Sequence, residues 1–138
     1  AGLSFVHFQT AFMRQTDDVP GEVALARSYA QRGLDIDPLD PFVNFTMGRS
    51  FWLEADLGHA RSWLERATAL SPNYAQGMYA LAWTNTLAGA EQGGRDQIDH
   101  AMRLSPLPMT VVLLLAAAVS PAYISTSTAS NSAPWRSV

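Results

Sequence analysis

The 138-residue sequence contains no cysteine and no lysine. Without cysteine, the chain can form neither a disulfide framework nor a thiolate-based metal or redox site. Charged residues are also scarce, at 15% of the chain against roughly 25% in typical soluble proteins, so part of the surface is expected to be apolar enough to meet a partner. The basic residues are scattered arginines and the net charge is −3. We therefore expect no nucleic-acid partner.

The sequence also lacks an apolar run long enough to cross a membrane. The longest candidate, residues 109–119, has eleven residues, whereas a bilayer-spanning helix needs roughly 20. Residues 1–12 carry no basic segment of the kind that opens a signal peptide. We predict a cytoplasmic location and no membrane partner.

Motifs that carry chemistry are missing as well. His7, His59 and His100 lie far apart, without the HExxH or His-x-His spacing of a metal site. Gly93-Gly94 lacks the surrounding residues of a phosphate-binding loop, and no serine stands in a GxSxG elbow. We predict that this segment is not an enzyme and that it has no catalytic residue, no metal site and no cofactor.

What the sequence does contain is a repeat. Its prolines recur 34 residues apart in Ile36-Asp37-Pro38, Leu70-Ser71-Pro72 and Leu104-Ser105-Pro106. Proline has no N–H group and biases the preceding residue away from the helical region, so each proline is expected to close one repeat. A unit of this length cannot bury its apolar face alone. The period therefore predicts helical repeats that stack and present an extended surface for binding.

The repeats resemble the tetratricopeptide repeat (TPR) family, whose 34-residue helix-turn-helix unit has the pattern W-x2-L-G-x2-Y, A-x3-F, P. The middle copy carries Gly48, Phe51, Ala60 and Pro72 at the glycine, aromatic, alanine and proline places, with Asn44 replacing the first aromatic residue. The following copy matches more weakly, and the first copy keeps only its second half.

This resemblance implies an all-α, TPR-like superhelix, which is a right-handed α-α solenoid. We predict one helical repeat domain over residues 1–120, followed by a low-complexity tail over residues 121–138. About three repeats and a partial fourth are expected, at residues 7–40, 41–74, 75–108 and 109–120.

About seven helices are predicted. Asp40 before Pro41 places an N-cap acid ahead of a proline at the first helical position, which is a favoured helix start. Leu57, Ala60 and Leu64 recur at the spacing of an amphipathic helix. The expected helices span about residues 3–14, 20–36, 41–54, 58–70, 74–88 and 91–104, with a seventh starting at residue 109.

In TPR proteins the first helix of each pair lines a concave groove, so the resemblance indicates which side chains could meet a partner. Aromatic rings offer a large contact area, and arginine offers a fixed donor fork for carboxylates. Packing in the core is the alternative explanation for aromatic residues at helical spacing. The predicted groove residues are Phe42, Phe45, Arg49, Trp52, Gln76, Tyr79, Trp83 and Thr86.

Two functions remain as hypotheses. The first is a protein–protein interaction or scaffold module that binds a peptide or a protein in the groove. The second is a dimerisation or regulatory segment that forms a homodimer through residues 109–120. Residues 24–41 and 47–67 resemble TPR regions that follow bacterial adenylate or guanylate cyclase domains or winged-helix transcriptional regulators. That resemblance implies part of a larger bacterial signalling protein, with no catalysis in this segment.

Overall fold

The computed structural model describes residues 1–89 and 91–105. Over these residues the chain is all-α, as predicted, and each helix end lies within two residues of its expected place. The predicted seventh helix and the tail lie outside the described residues. The helices are α1 (Gly2–Phe12), α2 (Val19–Ile36), α3 (Pro41–Trp52), α4 (Leu57–Leu70), α5 (Ala75–Leu87) and α6 (Glu91–Leu104). None of these six is both long and apolar enough to cross a bilayer.

Aspartate side chains cap the starts of three helices. Asp40 Oδ1 accepts hydrogen bonds from the N–H groups of Phe42, at 2.7 Å, and Val43, at 3.0 Å. Asp18 and Asp56 cap α2 and α4 in the same way. Such bonds satisfy N–H groups that have no partner within the helix. The helix start predicted from Asp40 and Pro41 is confirmed.

The helices pair as three hairpins, α1 with α2, α3 with α4 and α5 with α6. Small residues allow the paired helices to approach closely. A Cβ atom at Gly48 would lie 2.7 Å from Leu64 Cγ, and one at Gly94 would lie 2.3 Å from Thr86 Oγ1. Both distances are too short for non-bonded atoms, so glycine is required at these contacts unless a neighbour moves.

Apolar side chains join each hairpin to the next. Ala30 and Leu34 of α2 pack with Val43 and Met47 of α3. A second cluster spans α3, α4 and α5, and its buried members are Phe45, Leu64, Ala67, Ala80 and Leu81. The described part of the chain is therefore a TPR-like α-solenoid of three stacked hairpins.

The first hairpin is longer than the other two. Ser4 matches Gly48, because Ser4 donates a hydrogen bond to the carbonyl of Ala26 at 2.7 Å and Gly48 lies against the carbonyl of Ala60, 34 residues later. Ser4 and Gly48 are 44 residues apart, which breaks the 34-residue period. The first hairpin consequently begins at Gly2, ahead of the repeat start predicted at residue 7.

Candidate partner-binding groove

The first helices of the three hairpins form one face of the array, since α1 contacts α3 and α3 contacts α5. We call the surface formed by α1, α3 and α5 the inner face. Its three helices are almost free of fixed charge. Neither α1 nor α5 contains Asp, Glu, Lys or Arg, and Arg49 is the only such residue in α3. The inner face therefore combines aromatic and neutral polar side chains with a single fixed cation.

Aromatic rings surround the Arg49 guanidinium. Its central carbon lies 3.8 Å from the centroid of the Phe8 ring and 5.2 Å from that of Phe5, both on α1. The ring centroids of Phe45 and Trp52, on α3 itself, lie at 5.3 Å and 5.6 Å. All four distances fall within the range of cation–π attraction. The rings thus hold the guanidinium between α1 and α3.

The hydrogen bonds of Arg49 leave part of its donor capacity unused. Nη2 donates to Gln9 Oε1 at 2.9 Å, whereas Nε is buried and has no hydrogen-bond partner. In the described residues no carboxylate pairs with Arg49. By contrast, Arg27 of α2 forms an ion pair with Glu54 at 2.6 Å. The cation of the inner face is thus held by rings and by one neutral amide.

Burial changes the proton affinities of the groups on this face. It lowers the pKa of Arg49 from 12.5 to about 9, while the nearby Tyr74 and Tyr79 act in the opposite direction. Burial also raises the pKa of Tyr74 and of Tyr79 above the ordinary value, partly offset by Arg49. At neutral pH, Arg49 is therefore charged and both phenols keep their protons.

Phe42 and Phe45 pack into the interior of the array. Phe45 is only 1% exposed, and its ring meets Tyr74 edge-on at 5.5 Å. Phe42 is half-buried between Phe5, at 6.1 Å, and Phe45, at 6.0 Å between ring centroids. A partner cannot reach the Phe45 ring, so the structure assigns this predicted groove residue to the core.

Trp52 links all three helices of the inner face. Its indole Nε1 donates to Thr84 Oγ1 on α5 at 2.7 Å, and its ring meets Phe8 of α1 edge-on at 6.1 Å. Thr86 differs from the prediction. Its hydroxyl lies where a Cβ on Gly94 would clash, so this group is directed to α6 and not to the inner face.

The α5 end of the inner face is more open. Tyr79 and Trp83 are half-buried, and their rings stack with centroids 6.4 Å apart. Gln76, one turn earlier, is exposed. These three predicted residues share a stretch of α5 where neighbouring rings and an amide face outward. We call Tyr79 and Trp83 the aromatic platform.

Comparison with solved structures identifies the same architecture. The first TPR of Spaghetti (RPAP3), solved bound to the HSP90 peptide SRMEEVD, superposes with a TM-score of 0.60 over 76% of this chain and 81% of that chain, at 16% sequence identity. The fold is that of a TPR domain. No protein-family model matches the sequence, and no curated protein matches it.

Helix α1 supplies residues of the TPR inner face that the sequence did not reveal. Aligning Ser4 with Gly48 would have placed Phe5 at the position of Arg49, but the ten additional residues of the first hairpin hide that register. Phe12 is 52% exposed and stacks on Phe8. The residues that were missed are Phe5, Phe8, Gln9 and Phe12.

A cavity of about 430 Å³ lies at the outer edge of the first hairpin, away from the predicted groove residues. It is lined by the start of α1 and by Tyr29, Arg32, Gly33 and Ile36 of α2. Over the residues described, no three His, Asp or Glu side chains gather as a metal site would require. The inner face, with its unpaired cation and open aromatic platform, is the stronger candidate for a functional site of this TPR domain.

Proposed function

We propose that this chain is a protein-interaction module that binds a peptide or a protein segment along the inner face. The observation that supports this most directly is the unpaired Arg49 beside a half-exposed aromatic platform, on helices with no other fixed charge. Tyrosine, tryptophan and arginine are the residues enriched at binding hot spots. The peptide held by the solved TPR of similar fold adds support for a peptide ligand.

The proposed binding mode places an extended segment across α1, α3 and α5. Tyr79 and Trp83 would contact apolar side chains of the ligand, because stacked rings present a broad surface at little entropic cost. Gln76 would add hydrogen bonds at the exposed start of α5. Phe12, exposed at the end of α1, would extend the apolar contact on the far side of Arg49.

Selection of random displayed peptides on the 138-residue chain, followed by calorimetric titration of the selected sequences, tests this proposal. We expect Tyr79→Ala and Trp83→Ala each to weaken binding about tenfold or more, as truncation of a hot-spot aromatic residue does. Tyr29→Ala, on α2 beside the outer cavity, is the matched control and should bind as the unmodified chain does. Equal affinity of all three variants would reject the inner face as the binding surface.

We further propose that the module belongs to a larger bacterial signalling protein. The support is the resemblance of residues 24–41 and 47–67 to TPR regions behind adenylate or guanylate cyclase domains or winged-helix regulators. Catalysis in such a protein would reside outside this segment. Reading the coding frame on both sides of the segment in the source DNA tests this. A frame with no enzymatic or regulatory domain would reject it.

A dimerisation role is the alternative, supported by the apolar composition of residues 109–120, which lie outside the described part of the structure. Light scattering after size-exclusion chromatography can compare the full chain with a version ending at Pro108. A dimer that becomes a monomer on truncation would favour assembly. Monomers in both cases would reject this alternative and favour the open recognition surface.

A further inference from the structure

We infer that the inner face recognises one carboxylate of its peptide ligand and that Arg49 is the residue that binds it. The carboxylate would come from an Asp or Glu side chain or from the C-terminus of the peptide. This inference rests on the proposed function, because it names the chemistry of a ligand bound on the same surface. Three independent features of the described residues support it.

The first feature is the isolation of the charge. Arg49 is the only Asp, Glu, Lys or Arg residue in α1, α3 and α5. A segment lying across these helices would therefore meet one fixed cation and no fixed anion of theirs. Electrostatic complementarity sets specificity and register more than total affinity. An acidic group opposite Arg49 would fix the register of an otherwise apolar ligand.

The second feature is the unused donor capacity. A guanidinium has five N–H donors in a planar fork, and Arg49 uses one nitrogen, Nη2, in a hydrogen bond to Gln9. Its Nε is buried without a partner. Leaving a buried donor of a charged group unsatisfied costs free energy. A carboxylate can accept two parallel hydrogen bonds from such a fork, which would remove that cost on binding.

The third feature is the setting of the guanidinium. The rings of Phe8 and Phe5, and of Phe45 and Trp52 from the same helix, surround it at 3.8–5.6 Å. Apolar walls lower the local dielectric, so attraction between this cation and an anion is stronger than on an open surface. The walls also restrict the orientation of the fork. The site is thus suited to one oriented carboxylate.

The neighbour that now bonds to Arg49 is neutral. Gln9 places an amide oxygen 2.9 Å from Nη2, and a glutamate at this position would place a carboxylate within the same reach. The chain therefore carries, next to its unpaired cation, the neutral amide of the residue that would neutralise it. Substituting that residue offers a direct way to fill the site from within.

The test begins with random peptides displayed on phage and selected on the full chain and on Arg49→Gln. For the unmodified chain we expect selected peptides to share an acidic residue, or a free C-terminus, at one register. We expect no such enrichment for Arg49→Gln. Thermal unfolding followed by circular dichroism checks that each variant is folded. Arg95→Gln changes an exposed arginine of α6 and serves as the matched control.

Affinities of one selected peptide then measure the effect. Replacing its acidic residue by the corresponding amide should weaken binding about tenfold to a hundredfold, the range for hydrogen bonds between charged groups. Amidating its C-terminus should do so instead if the terminal carboxylate is the ligand. Arg49→Lys should retain part of the affinity, since it keeps the charge and loses the fork. Arg95→Gln should leave the affinity unchanged.

Gln9→Glu supplies a second variant that retains Arg49. We expect it to weaken binding of the acidic peptide as strongly as Arg49→Gln does and to leave the affinity of the amide analogue nearly unchanged, because the internal carboxylate would compete only with the acid. Selected peptides that lack a shared acid, or that bind Arg49→Gln as tightly as the unmodified chain, would overturn this inference while leaving the proposed function intact. Failure to select any peptide would overturn both.

Discussion

At the scale of single residues, the same residue type serves different roles according to what lies behind it. Phe45 and Trp83 are both aromatic residues on first helices, yet Phe45 is core and Trp83 is half-exposed. The sequence could not separate them, because α3 is buried nearly all round, from Val43 to Gly48, and such a helix has no distinct apolar stripe. The helix cap at Asp40 was predictable because it depends on local backbone geometry alone.

The cap of α4 should make stability depend on pH. Hydrogen bonds from the backbone N–H and then the side chain of His59 lower the pKa of Asp56 below its ordinary value of 3.8. A carboxylate with a depressed pKa in the folded state contributes stability above its unfolded pKa, and this contribution is lost as the pH falls through the folded value. Asp56→Ala should therefore lower the melting temperature at neutral pH.

The difference between Asp56→Ala and the unmodified chain should shrink as the pH falls below about 4, where the unfolded carboxyl is protonated. Thermal unfolding followed by circular dichroism at a series of pH values measures it. Asp99→Ala, an exposed residue within α6, provides the control. A melting-temperature difference that is the same in acid and at neutral pH would contradict the role of the ionised cap.

At the scale of helices, the hairpin contacts were largely predictable and the length of the first hairpin was not. The 34-residue period identified α3 to α6, because their matched small residues, such as Gly48 and Ala82, are spaced by the repeat itself. In the first hairpin α2 has 18 residues, whereas α4 has 14. This extension moves α1 out of register and explains why its contribution to the inner face was missed.

Adjacent glycines in α6 allow a direct test of hairpin packing. A Cβ at Gly93 would have no atom within 4 Å, whereas one at Gly94 would lie 2.3 Å from Thr86 Oγ1 and 3.0 Å from the carbonyl oxygen of Ala82. We expect Gly93→Ala to stabilise the fold by up to about 1 kcal/mol through helix propensity. Gly94→Ala should destabilise it by about 1–3 kcal/mol through overpacking.

Urea denaturation gives the free energy of unfolding for both alanine variants. Adding Thr86→Ala to Gly94→Ala removes the closer of the two clashing atoms and should restore part of the stability, although the Ala82 carbonyl remains at 3.0 Å. Thr86→Ala alone is the control for loss of the hydroxyl. If Gly94→Ala proved as stable as Gly93→Ala, the close approach of α5 and α6 would be wrong.

At the scale of the whole molecule, the seams between hairpins repeat in chemistry as well as in shape. Ser50 Oγ accepts a hydrogen bond from Arg27 Nε of α2 at 2.7 Å. Thr84, 34 residues later, accepts one from Trp52 Nε1 of α3, also at 2.7 Å. Matched hydroxyls thus receive a donor from the preceding hairpin. Each seam combines this bond with an apolar cluster, as expected where stability is shared between repeats and their interfaces.

Matched apolar residues should consequently differ in what they contribute to stability. Leu3, Met47 and Leu81 occupy equivalent places, and they are 56%, 2% and 6% exposed. A preceding hairpin covers the last two within the described array. Met47→Ala and Leu81→Ala should each lower the free energy of unfolding by about 2–5 kcal/mol. Leu3→Ala should change it by no more than about 0.5 kcal/mol.

Urea denaturation followed by both circular dichroism and tryptophan fluorescence measures these effects and checks whether the hairpins unfold together. Coincident transitions for Met47→Ala and Leu81→Ala would mean that loss of one seam weakens the whole array. A large effect of Leu3→Ala would show that the outer side of α1 is covered in solution, and would place an interface there. Equal small effects at all three positions would contradict the stacking of the hairpins, because burial by the preceding hairpin is what distinguishes the two inner residues from Leu3.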